Sequence, residues 1–489
     1  MYGLIVAAIL ASPFHEPTAL HDGQQQVASD RSSSARSSSA LSSENKTAQP
    51  AVSFRAAAAA LNDTDTTKRR TALVAIREYE HLVITQKNAI FALEAATKQF
   101  PHAKNETSKI ADPAAALVDA AAARCDLELI PYVKKYFPEY GPSARYAALS
   151  LLLKTDSREG ADLFMNLVRK YGARSFKSLP FHILENNTKF ADIVFPQILE
   201  FAVTKDHAFG IWHLCWEYCE AGVFKRMKLG EAPTKGLITE TRSWIARAKR
   251  FQKSSGGDWI WTDDYQDMRS ELTLRLDLLG YFPKAGAVPV LKEAINLRDN
   301  KQKLYAAISL LEHGENPSSE TLKILGADPE TRQALFQQLG DHKREDLFPK
   351  EFYTQKALAE SDMINWLTYP TELGKPPDDL ELMKILTVRK SAGDGSEDED
   401  VASDALGSDV SDTLEAHDSL QEYYIYRFRE KHSHEGRWMA CIAGPYPKAA
   451  AAPDVEGGDY TFSQFDLWES KTPEEHLLAI DADAEIVKP

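Results

Sequence analysis

The chain has 489 residues, 43% of them apolar and 10% aromatic, which is enough to build two to four folding units or one elongated array. With 57 Lys and Arg against 72 Asp and Glu, the formal net charge of −15 argues against a general polyanion binder and confines any nucleic-acid contact to a locally basic patch. No run approaches the roughly 20 apolar residues a membrane-spanning helix needs, and Cys125, Cys215, Cys219 and Cys441 are too few and scattered for a disulfide framework.

Leu4 to Ala11 is apolar and a Pro/Ser/Gln-rich stretch follows, the layout of a signal peptide with a short apolar core. No Lys or Arg precedes it and no A-x-A site follows, so export and a cytoplasmic location both stay open. No Cys follows the run, which leaves a lipoprotein anchor unsupported. From Pro13 to Thr66, Ser, Ala, Gln and Thr dominate, including Ser32-Ser33-Ser34 and Ser37-Ser38-Ser39. Such a segment buries too little apolar area to offset chain entropy, so residues 1–66 are expected to be a leader followed by disorder.

Residues 67–386 read as a helical-repeat domain. Leu, Ala, Ile and Glu recur at helical spacing, with breaks at Pro101, Asp112-Pro113, Gly141-Pro142, Gly172, Pro180, Gly256-Gly257, Gly280, Gly314, Asp328-Pro329 and Gly340. Long β-branched runs of period two are absent. The heptamer from Tyr146 to Leu152 returns from Tyr305 to Leu311 with six of seven positions identical. Tyr146, Leu149 and Leu153 in one copy, and Leu304, Ile308 and Leu311 in the other, mark a buried helix stripe, and the Ala pairs allow close helix approach.

Ahead of each copy lies an apolar-Pro element, Ile130-Pro131-Tyr132-Val133 and Val288-Pro289-Val290-Leu291, with a degenerate third at Phe195-Pro196-Gln197-Ile198. Proline suits the first helical turn, where its missing N–H costs nothing. Each unit then reads as helix, tight turn, Pro-started helix and loop. Over Asp112 to Leu347 these residues resemble HEAT-like helical repeats. That resemblance implies helix pairs that bury their apolar faces only by stacking into a solenoid. Residues 222–257 fit no repeat and read as an insertion.

Between Lys390 and Arg427 there is no Lys or Arg, while ten acidic residues lie from Asp394 to Asp418. Residues 387–421 are accordingly expected to be an acidic disordered loop. In the remaining residues, 422–489, Tyr424, Tyr426 and Phe428 alternate with Ile425, Arg427 and Arg429, and Arg437 to Ala443 and Tyr460 to Phe465 read as further strands. Thr472-Pro473-Glu474-Glu475 is a capping box with proline at the first helical position, opening a helix to about Ile480. The fold class is thus mainly α: a HEAT-like α-solenoid with a small C-terminal β-meander plus helix that caps its end. The order resembles that of bacterial helical-repeat proteins ending in an aromatic strand unit, and this resemblance brings no activity with it.

Cys215 and Cys219 lie at i, i+4 and would supply half a zinc site, but no second Cys/His pair stands at a recognisable spacing, so a core role is preferred. His432 and His434 flank a serine in an expected turn, where a solvated loop outweighs a metal site. Asp394 to Ala405 departs from a calcium loop, with Glu399 where glycine is required and Ala405 at the twelfth position. No phosphate-binding, nucleophile-elbow, zincin or dinucleotide motif occurs. No metal and no cofactor is therefore expected.

The basic segment remains: Lys225, Arg226, Lys228, Lys235, Arg242, Arg247, Lys249, Arg250 and Lys253 against only Glu231 and Glu240, with Trp244 inside it and Trp212, Trp216, Trp259 and Trp261 nearby. Cations interleaved with aromatics can grip a nucleic-acid backbone and stack on a base. HEAT-like DNA glycosylases use a concave basic surface in this way, and by that resemblance Asp258, Asp263 or Asp264 would be the carboxylate. The expected function is a non-enzymatic scaffold for a protein partner. The alternative is a nucleic-acid-binding HEAT-like protein, possibly a DNA glycosylase, acting through Lys225, Arg226, Lys228, Arg242, Trp244, Arg247, Lys249 and Arg250.

Overall fold

The computed structural model describes residues 52–488 except 80–81, 83, 103–111, 173–174, 177, 186, 203–204, 224–230, 254–257, 370–371, 390–419, 433, 449–452, 454–461 and 483. The expected leader and most of the expected acidic loop therefore lie outside the described residues. The chain divides into two compact units at residues 229 and 230.

In the first unit, α1 (Phe54–Ala60) and α2 (Thr66–Glu78) precede α3 (Gln86–Ala95), α4 (Pro113–Ala122), α5 (Ile130–Tyr136), α6 (Pro142–Lys154), α7 (Arg158–Tyr171), α8 (Phe181–Glu185), α9 (Ala191–Ile198) and α10 (Lys205–Glu220). Helices alternate between two layers: α2, α4 and α6 touch in one, while α1, α3 and α5 touch in the other. This is the HEAT-like arrangement.

Helical structure begins earlier than residue 67. Ser53 caps α1, Phe54 is 2% exposed with its ring edge-on to Tyr79 at 5.1 Å, and Ala57, Ala58 and Leu61 are buried. An alanine run reads as low complexity, but alanine has the highest helix propensity, and one aromatic anchor with small residues beside it is enough to pack the helix.

In the second unit, α11 (Glu231–Phe251), α13 (Lys284–Ala294) and α15 (Ser319–Ala327) form one layer, while α12 (Asp263–Leu279), α14 (Asn300–Glu312), α16 (Pro329–Asp341) and α17 (Gln355–Leu367) form the other. The insertion expected at 222–257 is in its described part no insertion. Helix α11 packs on α12 and α13 through buried Leu237, Thr241, Ile245 and Ala248. Its polar sequence hid the repeat because only one narrow stripe is apolar.

The duplicated heptamer falls at equivalent places in the two units. Tyr146 on α6 and Tyr305 on α14 are both half-buried, and burial raises both hydroxyl pKa values, helped in each case by an aspartate of the preceding same-layer helix, Asp119 or Asp277. Leu304, Ile308 and Leu311 are buried as expected. The stripe expected on α6 is wider, since every residue from Ala147 to Leu153 is buried while Tyr146 itself is not. Of the Pro-started helices only α5 fits. Pro289 sits inside α13 and Pro196 inside α9, because the preceding residues already join the helix.

The helical region ends at Leu367 rather than 386. Asp379–Arg389 is strand β1, which pairs antiparallel with β2 (Leu420–Arg429). A meander continues through β3 (Met439–Pro447) and β4 (Phe462–Leu467), and β5 (Glu485–Ile486) adds to the other side of β1, giving the order β4-β3-β2-β1-β5. Leucine-rich β1 has the composition of a helix, and only its distant partner decides otherwise. Tyr424, Tyr426 and Phe428 share one face, as the alternation predicts, and bury Ala359, Met363 and Leu367 of α17. The opposite face, with Leu386, Val388, Tyr423, Ile425 and Ile442, is covered by Leu477 and Ile480 of α18 (Pro473–Ile480), whose capping box is formed by Thr472 and Glu475. The sheet therefore covers the last helix of the repeat layer, as a terminal cap should.

Candidate functional site

Two surfaces of the second unit gather polar side chains. The first is the solvent face of α11. Lys235, Thr239, Arg242, Ser243, Ala246, Lys249 and Arg250 are exposed along it, with Lys253 just past its end. Lys249 pairs with Glu293 of α13 at 2.6 Å, whereas Lys235, Arg242, Arg250 and Lys253 have no carboxylate partner among the described residues. Lys225, Arg226 and Lys228 lie outside the described residues.

The aromatic side chains do not share this face. Trp244 is half-buried beside two guanidiniums, Arg247 at 5.0 Å and Arg275 at 5.5 Å from its ring centre. Arg275 is itself buried between Glu240 and Glu271. Trp259 is 8% exposed and meets Tyr265 edge-on at 4.6 Å, with Arg298 over it at 5.6 Å. Trp212 and Trp216 belong to the core of the first unit. Trp212, Trp216 and Trp259 are therefore closed to a stacking base, and half-exposed Trp244 has guanidiniums against its ring instead. Asp263 and Asp264 are exposed in the first turn of α12, where a carboxylate complements the helix dipole, and the side chain of Asp258 lies outside the described residues.

The second surface is a ladder along the layer of α12, α14, α16 and α17. Asp299 caps α14 and holds Arg269 of α12: Nη2 donates to Oδ1 at 2.9 Å, and Nε lies 2.8 Å from Oδ2 at an angle too poor for a hydrogen bond. The Tyr265 hydroxyl donates to the same carboxylate at 2.8 Å. One helix further on, Asn300 donates to Asp328, the cap of α16, at 2.7 Å. Arg332 reaches Glu360 of α17 at 2.8 Å, Gln333 Nε2 donates to Asp362 at 3.3 Å, and Asn365 Nδ2 donates to Gln333 Oε1 at 3.2 Å. The Tyr446 hydroxyl of β3 closes the series on Asp362 at 2.8 Å.

Beside this ladder Lys301 makes no ion pair among the described residues. Burial first, and then repulsion from Arg269, bring its amine down to about 8, and burial raises the Glu330 carboxyl against the opposing pull of Arg269 3.9 Å away. A sequence signal existed in Asp299 and Asp328, two helix caps one repeat apart, but their hydrogen-bond partners are set by tertiary packing alone.

The remaining candidates are structural. Cys215 and Cys219 are buried in α10, as preferred from the sequence, and His213 on the same helix faces Glu185 at 3.3 Å. Among the described residues no three His, Cys, Asp or Glu side chains gather as a metal ion would require, and no helix is long and apolar enough to cross a membrane. A groove of about 260 Å³ between α1 and α2 is lined by Ala57, Ala60, Ala72, Ala75 and Thr71, and its one charge, Lys68, pairs with Asp63.

No family model matches the chain, and no curated protein resembles it in sequence. Among solved structures, a chain from the complex of CpcE and CpcF of phycocyanin lyase from Nostoc sp. PCC7120 is similar over 60% of this chain and 99% of its own length. The identity is 15% and the TM-score 0.24, too low to carry an argument about fold or function.

Proposed function

We propose that the protein is a non-enzymatic helical-repeat scaffold that binds a partner protein along the ladder layer of its second unit. The observation that carries this reading is the run of half-exposed Lys301, Glu330, Gln333, Gln337 and Asn365 on neighbouring helices. Gln333 and Asn365 spend only part of their hydrogen-bonding capacity on each other and on Asp362, and each amide offers both a donor and an acceptor. A polypeptide presents the same two groups at every residue. Stacked repeats expose such a surface over many helices, so many weak contacts add up.

Placing a photo-crosslinking residue at Gln337 or Asn365, and separately at exposed Lys323 on the opposite layer, tests the reading in cells. A single protein should be captured in stoichiometric yield from the first two sites and not from the third. Equal or absent capture at all three refutes it.

The alternative, nucleic-acid binding by α11, is supported by the cations without counter-charge. With Trp244 and Trp259 engaged elsewhere, it would rest on phosphate contacts alone, and its affinity would fall steeply with salt.

A further inference from the structure

We propose that the solvent face of α11 is a docking seam for a single acidic α-helix of a partner protein. This inference rests on the protein-binding reading but uses a different surface. Lys235, Thr239, Arg242, Ala246, Lys249 and Lys253 follow one another at intervals of four, three, four, three and four residues, and all six are exposed. That alternation is the spacing with which one helix lies along another. The cations Lys235, Arg242 and Lys249 recur at seven residues, about 10.5 Å of helix rise, while Thr239 and Ala246 between them are short enough to let a second backbone approach. Arg250 flanks the seam and Lys253 ends it.

Charge and spacing together choose the partner. The helix sits in a chain whose formal net charge is −15, yet Lys235, Arg242, Arg250 and Lys253 lack a carboxylate partner among the described residues. Other exposed lysines of the same layer are matched: Lys284 and Lys292 with Glu315, and Lys323 with Glu351. A partner helix carrying Glu or Asp every seventh residue meets Lys235 and Arg242 directly and shares Lys249 with Glu293, while Arg250 and Lys253 add positive charge beside the seam. A nucleic-acid strand offers phosphates at a shorter repeat, and the tryptophans that would read its bases are buried or flanked by arginines.

The test uses the full chain and three fluorescent probes: a synthetic helix with glutamate at every seventh position, a helical peptide of the same composition with the glutamates scrambled, and a duplex DNA. The heptad peptide should bind at least about tenfold more tightly than the scrambled one. The charge reversals Arg242→Glu with Arg250→Glu should weaken it by a further factor of ten or more, because like charges across an interface repel. Lys323→Glu, at an exposed position of α15, should leave binding unchanged. All three side chains are solvent-facing, so an unaltered circular dichroism melt confirms that the fold is intact. Equal binding of the two peptides overturns the proposal, as does duplex DNA binding more tightly than either. The crosslinking at Gln337 and Asn365 is independent of both outcomes.

Discussion

Replacing Asp299 by alanine should destabilise the second unit more than any other single change in the ladder. The carboxylate is 1% exposed and serves Arg269, the Tyr265 hydroxyl and the first turn of α14 at once. Breaking one side of a buried ion pair costs about 3–5 kcal/mol, loss of a helix cap about 1 kcal/mol, and an orphaned buried hydroxyl about 1–3 kcal/mol. These overlap because one group serves all three, so a total of about 4–6 kcal/mol is expected. Hydrogen exchange of the amides in residues 263–312 reads the opening free energy of this region without assuming that a two-unit chain unfolds in one step. Combining Asp299→Leu with Arg269→Met removes both charges, so the ion-pair part of the loss should return, leaving about 2–4 kcal/mol for the cap and the Tyr265 hydroxyl. A cost below about 1 kcal/mol for Asp299→Ala, or a double variant no better than the single one, would refute the account of this pair.

Gly160 in α7 should not tolerate a methyl group: a Cβ there would stand 2.3 Å from the Leu152 carbonyl and 2.4 Å from Thr155 Oγ1. Gly160→Ala should therefore lower stability by about 1–3 kcal/mol in thermal melts, against the gain that helix propensity alone predicts. His476 in α18 is fully buried and stacked on Trp468 at 5.3 Å, and burial lowers its pKa below 6.5 against the opposing pull of the Trp468 backbone. The unfolded chain thus takes up the proton first, so its contribution is constant above about pH 6.5 and is lost as pH falls below that value. The opening free energy of the α18 amides, read from exchange after correction for the intrinsic pH dependence, should fall on acidification below about pH 6.5, and His476→Leu should flatten that dependence. Thr472→Ala removes half of the capping box and should cost about 1 kcal/mol in the same exchange measurement, with little effect on the α17 amides.

Local signals placed what local physics controls. The breaks at Gly141-Pro142 and Asp328-Pro329 start α6 and α16, the duplicated heptamer falls on equivalent helices, and Thr472 caps α18, because turns, caps and helical periodicity are decided within a few residues. The alternation of Tyr424, Tyr426 and Phe428 likewise fixed which face of β2 is buried. Other features needed the fold. The stretch from Asp379 to Arg389 has the composition of a helix and becomes a strand because β2, more than thirty residues later, supplies its hydrogen bonds. An alanine-rich segment at residue 54 is ordered because Tyr79 gives Phe54 somewhere to bury its ring. The tryptophans near α11 looked like stacking platforms until packing placed Arg247 and Arg275 around one and buried another. The ladder from Arg269 to Tyr446 joins residues up to 84 positions apart. A sequence records which donors and acceptors exist, but only the stacked helices decide which of them meet.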